Sequence, residues 1–273
     1  MKILFFDDSK QRDCPRDGVG DLVGVGGVIV PSDQLRKLEA VLKQICADFG
    51  FPPNEVFKWS PRRGDWMREN LVGDGRTDFF NVALNACSDH GCKFVVAVVD
   101  TSCRHATRNA QDHETDALNL VLERFNTHMR DEDGIVFVAK PSGGQRDEVR
   151  LLADCVELLD SGTGYVEFEN IAMNVVTMPF KLSRTLQCSD LVVAISTSMV
   201  AGRVAYAENH FGIITEGAIR DWRGLVGGAG IKIHPQTIYV NLHYWLLDED
   251  YSARFNCPLP DRGRPYAEAF DRR

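Results

Sequence analysis

Two acidic residues lie within or directly after apolar segments, where a charge needs a partner. Asp7 follows the apolar run "ILFF", and Asp190 is the only charged residue between Arg184 and Arg203. Neighbouring carboxylates repel unless a cation lies between them, and Mg²⁺ or Mn²⁺, which prefer oxygen ligands, usually supplies that charge. Asp7 and Asp190 are therefore the best candidate ligands of a divalent cation. The structural alternatives are a strand-end turn for Asp7 and a helix N-cap for Asp190.

Other charged residues follow the predicted strands. Asp8 is expected to point away from Asp7, because side chains alternate along a strand. Asp100 ends "KFVVAVVD" and Lys140 ends "GIVFVAK", two buried runs. If those strands run parallel to the first, Asp7, Asp100 and Lys140 lie at one end of one sheet, where open α/β sheets usually bind ligands. Asp100 would lie two strands from Asp7, near the limit of a shared site.

The segment "KWSPRRGDWMR" places cations beside aromatic side chains. Such a pattern suits single-stranded nucleic acid or exposed bases, and the alternative is a solvated loop that buries two tryptophans. The net charge of −8 argues against a general polyanion binder. Binding of nucleic acid would therefore require a local basic surface. The residues concerned are Lys58, Trp59, Arg62, Arg63, Trp66 and Arg68.

Strand and helix patterns alternate along the chain and predict an α/β fold. The first two strands are expected to form a hairpin, followed by a helix that begins near Leu35 and by another over residues 77–86. A hairpin followed by helix-linked strands favours a mixed sheet flanked by helices. "KFVVAVVD" would run antiparallel to the second strand, and "GIVFVAK" would lie beside the first. The late segment "LSRTLQCSDLVVAISTSMVAG" is apolar nearly all round, which is typical of a buried helix.

Composition and length set broader expectations. The 273 residues are 44% hydrophobic and 26% charged, which is ordinary for a globular protein. The pattern predicts a main domain at 1–204 and a C-terminal extension at 205–273 packed on it. With no membrane-spanning run, no signal-peptide pattern and eight scattered cysteines, a cytoplasmic protein with reduced thiols is expected. His105 and His113 are expected in a solvated polar loop.

Four segments, "FFDDSK", "GGVIVP", "EVFKWSP" and "LQCSDLVV", occur in this order. Together they resemble the bacterial domain-of-unknown-function 3800 family, a branch of the ribonuclease H-like superfamily. The resemblance implies a ribonuclease H-like fold and metal-dependent cleavage of phosphodiesters, often near mobile elements or phage-defence genes. It implies Mg²⁺ or Mn²⁺ on Asp7 and Asp190. The catalytic residues would be Asp7, Glu55 and Asp190, and the substrate-binding residues Lys58 and Gln187, joined by Arg62 and Arg63 of the basic segment.

Lys140 departs from the family pattern, because relatives tend to have Asp at this strand end. We hypothesise that its ammonium pairs with Asp7, Asp190 or both and thereby weakens metal binding. Asp8 and Lys10 also replace the usual Glu and Gly. Two interpretations follow: an active metal-dependent nuclease, or a nuclease-like scaffold that binds nucleic acid or a partner protein without cutting. Both interpretations are compatible with a homo-oligomer.

Overall fold

The structure is a computed structural model that describes residues 1–103, 110–249 and 260–268. These residues form a mixed sheet with helices on both faces. The strands are β1 (Lys2–Gln11), β2 (Leu22–Pro31), β3 (Lys93–Asp100), β4 (Gly134–Ala139), β5 (Val176–Met178) and β6 (Ile231–His234). The helices are α1 (Leu35–Asp48), α2 (Trp66–Asn70), α3 (Asp74–Asp89), α4 (Ala110–Met129), α5 (Gln145–Ser161), α6 (Arg184–Ala201), α7 (Val204–Gly217) and α8 (Val240–Leu247).

The sheet order is β5-β4-β1-β2-β3-β6. β2 runs antiparallel to both β1 and β3, and β1 pairs with β4 in parallel. The predicted hairpin, the antiparallel third strand and the return of β4 beside β1 are therefore confirmed. The two outer strands, β5 and β6, are parallel to β4 and β3 respectively.

Alternation along β1 divides the core into two layers. Ile3 and Phe5 point to the face covered by α1, α3, α6 and α7, whereas Leu4 and Phe6 point to the face covered by α4 and α5. Phe5 stacks on Phe137 of β4 with ring centroids 5.3 Å apart, which joins the two parallel strands on the α6 face.

β1 continues past the acidic pair, contrary to the prediction that the strand ends there. It stays paired with β2 as far as Gln11, which faces Leu22. The hairpin partner is equally long, so its backbone hydrogen bonds extend β1 through the polar residues. On the β4 side, however, pairing ends at Phe6 and Val138. Asp7 is therefore at a strand end with respect to β4 only.

α6 is buried against the sheet as expected, and both of its ends are fixed. At the N-terminus the Ser183 hydroxyl accepts a hydrogen bond from the Leu186 N–H, and a Glu39 carboxylate oxygen accepts one from the Thr185 N–H over 2.9 Å. At the C-terminus the buried Arg16 guanidinium donates to the carbonyls of the last turn. Because Ser183 is the N-cap, the alternative that Asp190 caps this helix is wrong.

Close approach between α6 and the sheet depends on glycine. A Cβ atom on Gly24 of β2 would lie 2.1 Å from the Thr197 hydroxyl oxygen, well inside van der Waals contact. The Ser189 hydroxyl donates to the carbonyl oxygen of Phe5 over 2.7 Å. The residue after Ser189 is Asp190, so this contact sets where its carboxylate meets β1.

The residues beyond 204 form part of this architecture. α7 packs against α3 and α6, and β6 extends the sheet by pairing with β3. This part of the C-terminal extension thus completes the sheet and does not merely lie on it. Within the three described ranges, no helix is both long and apolar enough to span a membrane.

The prediction for His113 was wrong. His113 is buried in α4, where it shares a helical face with Ala117 and Val121 at intervals of four residues. The polar residues around it obscured that periodicity. His105 lies outside the described residues. The seven cysteines in the described ranges are all free.

Candidate functional site

Asp7 faces α6. Side-chain alternation puts it on the same side of β1 as Ile3 and Phe5, and its partner on β2 is Gly26. Extending the parallel register by one residue beyond Phe6 and Val138 places Ala139 beside Asp7 on the other flank. The carboxylate therefore lies between two positions without long side chains.

Asp190 approaches the same place from α6. One oxygen of its carboxylate accepts a hydrogen bond from the backbone N–H of Trp59 over 2.6 Å. One turn earlier, the side-chain oxygen of Gln187 accepts from the backbone N–H of Phe57 over 3.2 Å. These two side chains, three residues apart on one helical face, hold the segment "EVFKWSP" against α6.

Gln187 is fully buried, and its amide also donates to the carbonyl of Phe180. Arg184 donates from one nitrogen to both the Gln187 amide oxygen and the Glu55 carbonyl. The structure thus gives Gln187 a positioning role for the segment, which sequence analysis did not foresee. Its predicted contact with substrate stays a prediction.

The electrostatics of the two aspartates are coupled. Burial raises the pKa of Asp7 well above its usual range, and the negative charges of Asp190 and Asp8 raise it further. Burial also raises the pKa of Asp190, to about 6, although the Trp59 N–H and the Lys58 charge act in the opposite direction. Both carboxylates are therefore costly to ionise until a cation arrives.

Lys58 is the cation that acts on both aspartates. Its positive charge lowers the pKa of each, and its ammonium lies 3.4 Å from the carboxylate of Asp65. The backbone N–H of the next residue, Trp59, is bound to Asp190, so the loop that carries Lys58 is fixed relative to the acidic pair. The predicted contact of Lys58 with the substrate stays a prediction.

The acidic pair can contribute two oxygens to a metal. Asp7 uses one carboxylate oxygen to accept from the Asp8 N–H over 2.9 Å, and Asp190 uses one for Trp59. The second oxygen of each forms no hydrogen bond with the described residues. Mg²⁺ typically binds through one or two carboxylates and keeps several waters, so this donor set fits it. No group of three or more potential ligands was found in the described part of the chain.

Glu55, Arg62 and Arg63 lie on the same segment but are not drawn into the acidic pair by any direct contact. Glu55 is half-buried, and its carboxylate forms no hydrogen bond or ion pair with described residues. Its backbone is bound: the carbonyl accepts from Arg184, and the N–H donates to the Pro52 carbonyl. Arg62 and Arg63 are exposed. Their proposed roles toward substrate remain predictions.

Lys140 does not pair with the aspartates, so that hypothesis was wrong. Its ammonium lies 2.7 Å from the carboxylate of Glu148 in the first turn of α5. The reason is that side chains alternate between the two faces of the sheet along this strand. The α6 face receives Ala139, whereas the α4 face receives Val136, Val138 and Lys140. The ion pair also lowers the pKa of Glu148.

Asp8 and Asp100 serve other purposes. Asp8 lies on the opposite face of β1 from Asp7, as expected, together with Lys10, whose ammonium contacts Glu114 over 2.5 Å. Asp100 is buried and accepts hydrogen bonds from the Gly20 N–H, from Ser102 and from the Tyr239 hydroxyl. Its register with Leu22, which faces Gln11, puts it beyond the level of Asp7. Asp100 is therefore a structural anchor.

The residues that build the site indirectly could not be recognised from the sequence. Glu39, Arg184 and Arg76 fix α6 and the segment after residue 55, yet each looks like an ordinary surface charge of a helix or loop. No local pattern distinguishes Glu39 and Arg184, because their partners are distant in sequence. The bond from Arg76 to the Leu71 carbonyl depends on how the chain turns between α2 and α3. Compared with known proteins, the chain matches no protein-family model, and no curated protein shows significant sequence similarity to it.

Proposed function

We propose that this chain is a metal-dependent phosphodiesterase that acts on nucleic acid. The observation that carries the proposal is the convergence of Asp7 from β1 and Asp190 from α6, two carboxylates with raised pKa values and one uncommitted oxygen each. Such a pair attracts a divalent cation strongly. A mixed sheet that begins with a hairpin, together with the four ordered segments, supports a ribonuclease H-like nuclease of the cytoplasm.

Asp7 and Asp190 would hold Mg²⁺ or Mn²⁺. When bound, the ion would polarise a phosphodiester oxygen and lower the pKa of a coordinated water. The chain itself fixes the ligands: the Asp8 N–H orients the Asp7 carboxylate, and the Trp59 N–H orients that of Asp190. Lys58, held nearby through its own segment, would bind the substrate phosphate.

A cleavage assay tests this function. Fluorescently labelled single- and double-stranded DNA and RNA are incubated with the full chain and Mn²⁺ or Mg²⁺, with a chelator in the parallel reaction. We expect metal-dependent cleavage of at least one substrate by the natural chain and by Asp89→Asn, which changes an exposed carboxylate at the end of α3. Asp7→Asn and Asp190→Asn should lose it. Cleavage that survives in both of these variants contradicts the assignment.

A second candidate function is a nuclease-like scaffold that binds nucleic acid or a partner protein without cutting. It is favoured by Ala139, which stands beside Asp7 on the neighbouring strand where a further carboxylate would complete a larger ligand set. This candidate predicts oligonucleotide binding that is unaffected by a chelator, and no cleavage with either metal.

A further inference from the structure

A shallow depression opens beside Trp59. Its volume is about 430 Å³, and it lies where the segment after Trp59 meets the end of α2 and the start of α3. The wall is more polar than apolar and includes two guanidinium groups. The lining residues are Trp59, Ser60, Pro61, Arg68 and Arg76.

The two arginines bring like charges together without a neutralising partner. Arg68 donates to the Pro61 carbonyl over 3.4 Å, and Arg76 donates to the Leu71 carbonyl over 2.8 Å. Neither forms an ion pair with a carboxylate in the part of the chain that the structure describes. Burial and the charge of Arg68 both lower the pKa of Arg76. An anion between them would relieve this repulsion, and phosphate suits the planar guanidinium groups.

Trp59 supplies an aromatic surface that is held firmly in place. Its ring packs against Phe80 with centroids 5.4 Å apart and against His210 at 5.8 Å. His210 is in turn fixed by Asn81, which lies 2.7 Å from its Nδ1. The backbone of Trp59 is bound to Asp190. One residue therefore joins the depression to the acidic pair.

We propose that this depression is a subsite for one nucleotide of a single strand, with the phosphate between Arg68 and Arg76 and the base against Trp59. The proposal rests on the proposed function and names its substrate class. Bases in a duplex are stacked on one another and cannot reach an aromatic side chain, whereas an unpaired base can. The link through Trp59 would place the next phosphodiester toward Asp7 and Asp190.

Binding of a labelled, short, single-stranded oligonucleotide to the full chain, measured by fluorescence anisotropy in a chelator, tests the subsite apart from catalysis. The informative variant is Arg68→Gln, because Arg68 is exposed and its one hydrogen bond is long. Arg150→Gln is the matched control, an exposed arginine of α5 that does not line the depression. Thermal unfolding checks that each variant is folded.

We expect Arg68→Gln to weaken binding about tenfold and to reduce the slope of log affinity against log salt by about one, since one phosphate contact releases about one counterion. Arg150→Gln should change affinity less than threefold. A duplex of the same sequence should bind more weakly and be insensitive to Arg68→Gln.

Three results would overturn the subsite: equal effects of the two arginine variants, equal sensitivity of the duplex, or no binding of any oligonucleotide. If the two variants are equivalent but the chain still cleaves with Mn²⁺, the proposed function stands and the subsite alone fails. If Arg68→Gln weakens binding but no metal supports cleavage, the subsite stands and the phosphodiesterase proposal fails.

Discussion

The backbone N–H of Trp59 donates to the carboxylate of Asp190 over 2.6 Å. This bond joins a loop rich in cations to a helix that carries one acid in its interior. It occupies one oxygen of Asp190 and leaves the other without a hydrogen bond to the described residues. The same bond therefore orients a candidate metal ligand and positions Lys58 and the depression beside Trp59.

Replacing Asp190 with Asn should weaken metal binding while keeping the fold. The amide oxygen of Asn can still accept from the Trp59 N–H, but the ionised ligand is gone. We expect the affinity for Mn²⁺ to fall at least about tenfold, as for loss of one charged ligand from a two-carboxylate site. Isothermal titration calorimetry measures it, with the exposed Asp89→Asn as the control. Equal affinities of Asp190→Asn and the natural chain would remove Asp190 from the metal site.

Stability should depend on pH through the acidic pair. The pKa of Asp190 is raised from 3.8 to about 6, so the folded state retains a proton that the unfolded state releases. The free energy of unfolding should therefore fall as pH rises from about 4 to about 6, by at most about 3 kcal/mol, and then level off. Asp7 acts in the same direction.

Urea denaturation across this range, comparing the natural chain with Asp190→Asn, isolates the effect from other carboxylates. The variant should gain stability relative to the natural chain as pH rises. Saturating Mn²⁺ at neutral pH should restore stability to the natural chain only, because a ligand of the folded state stabilises it. Parallel pH profiles would show that Asp190 does not hold the extra proton.

Lys58 should contribute through its charge rather than through the ion pair with Asp65. Lys58→Gln is expected to weaken oligonucleotide binding and flatten its salt dependence by about one counterion. Asp65→Asn removes the ion-pair partner but keeps the cation, so binding should be unchanged or tighter. Anisotropy titrations at several salt concentrations compare the two. If both variants weaken binding equally, Lys58 acts by shaping the loop.

A new carboxylate at position 139 should change the affinity for Mn²⁺, whereas one at position 140 should not. Ala139→Asp adds one beside Asp7 on the α6 face, and we expect tighter Mn²⁺ binding together with lower stability in the absence of metal. Lys140→Asp places the charge on the other face, where it loses the ion pair with Glu148. Its Mn²⁺ affinity should match the natural chain. Tighter binding in Lys140→Asp would contradict the observed strand orientation.

Hydrophobic periodicity was sufficient to predict the strands of the hairpin and the buried α6, and the assumed pairing of the four inner strands agrees with the observed sheet order. It also singled out Asp7 and Asp190, because a lone charge in an apolar element is visible in sequence. The side of the sheet to which a side chain points was less predictable. Lys140 follows the end of β4, but its side depends on the register of β4 against β1, which only the packed structure sets.

The supporting contacts could not be predicted for a different reason. Gln187 and Glu39 act on backbone N–H groups more than a hundred residues away, so nothing in their local sequence reveals the partner. Arg76 looks like any exposed helical cation, yet it lines the depression beside Trp59. Long-range polar contacts of this kind follow from tertiary packing and not from periodicity.

The bond from the Tyr239 hydroxyl to buried Asp100 has a practical consequence for anyone who shortens this protein. A fragment that stops near residue 204 would retain every residue of the acidic pair, and it would look like a self-contained catalytic unit. It would also lack β6, which pairs with β3, and the Tyr239 hydroxyl, which donates to the carboxylate of Asp100. Such a fragment should be recovered from inclusion bodies, and its inactivity would say nothing about catalysis.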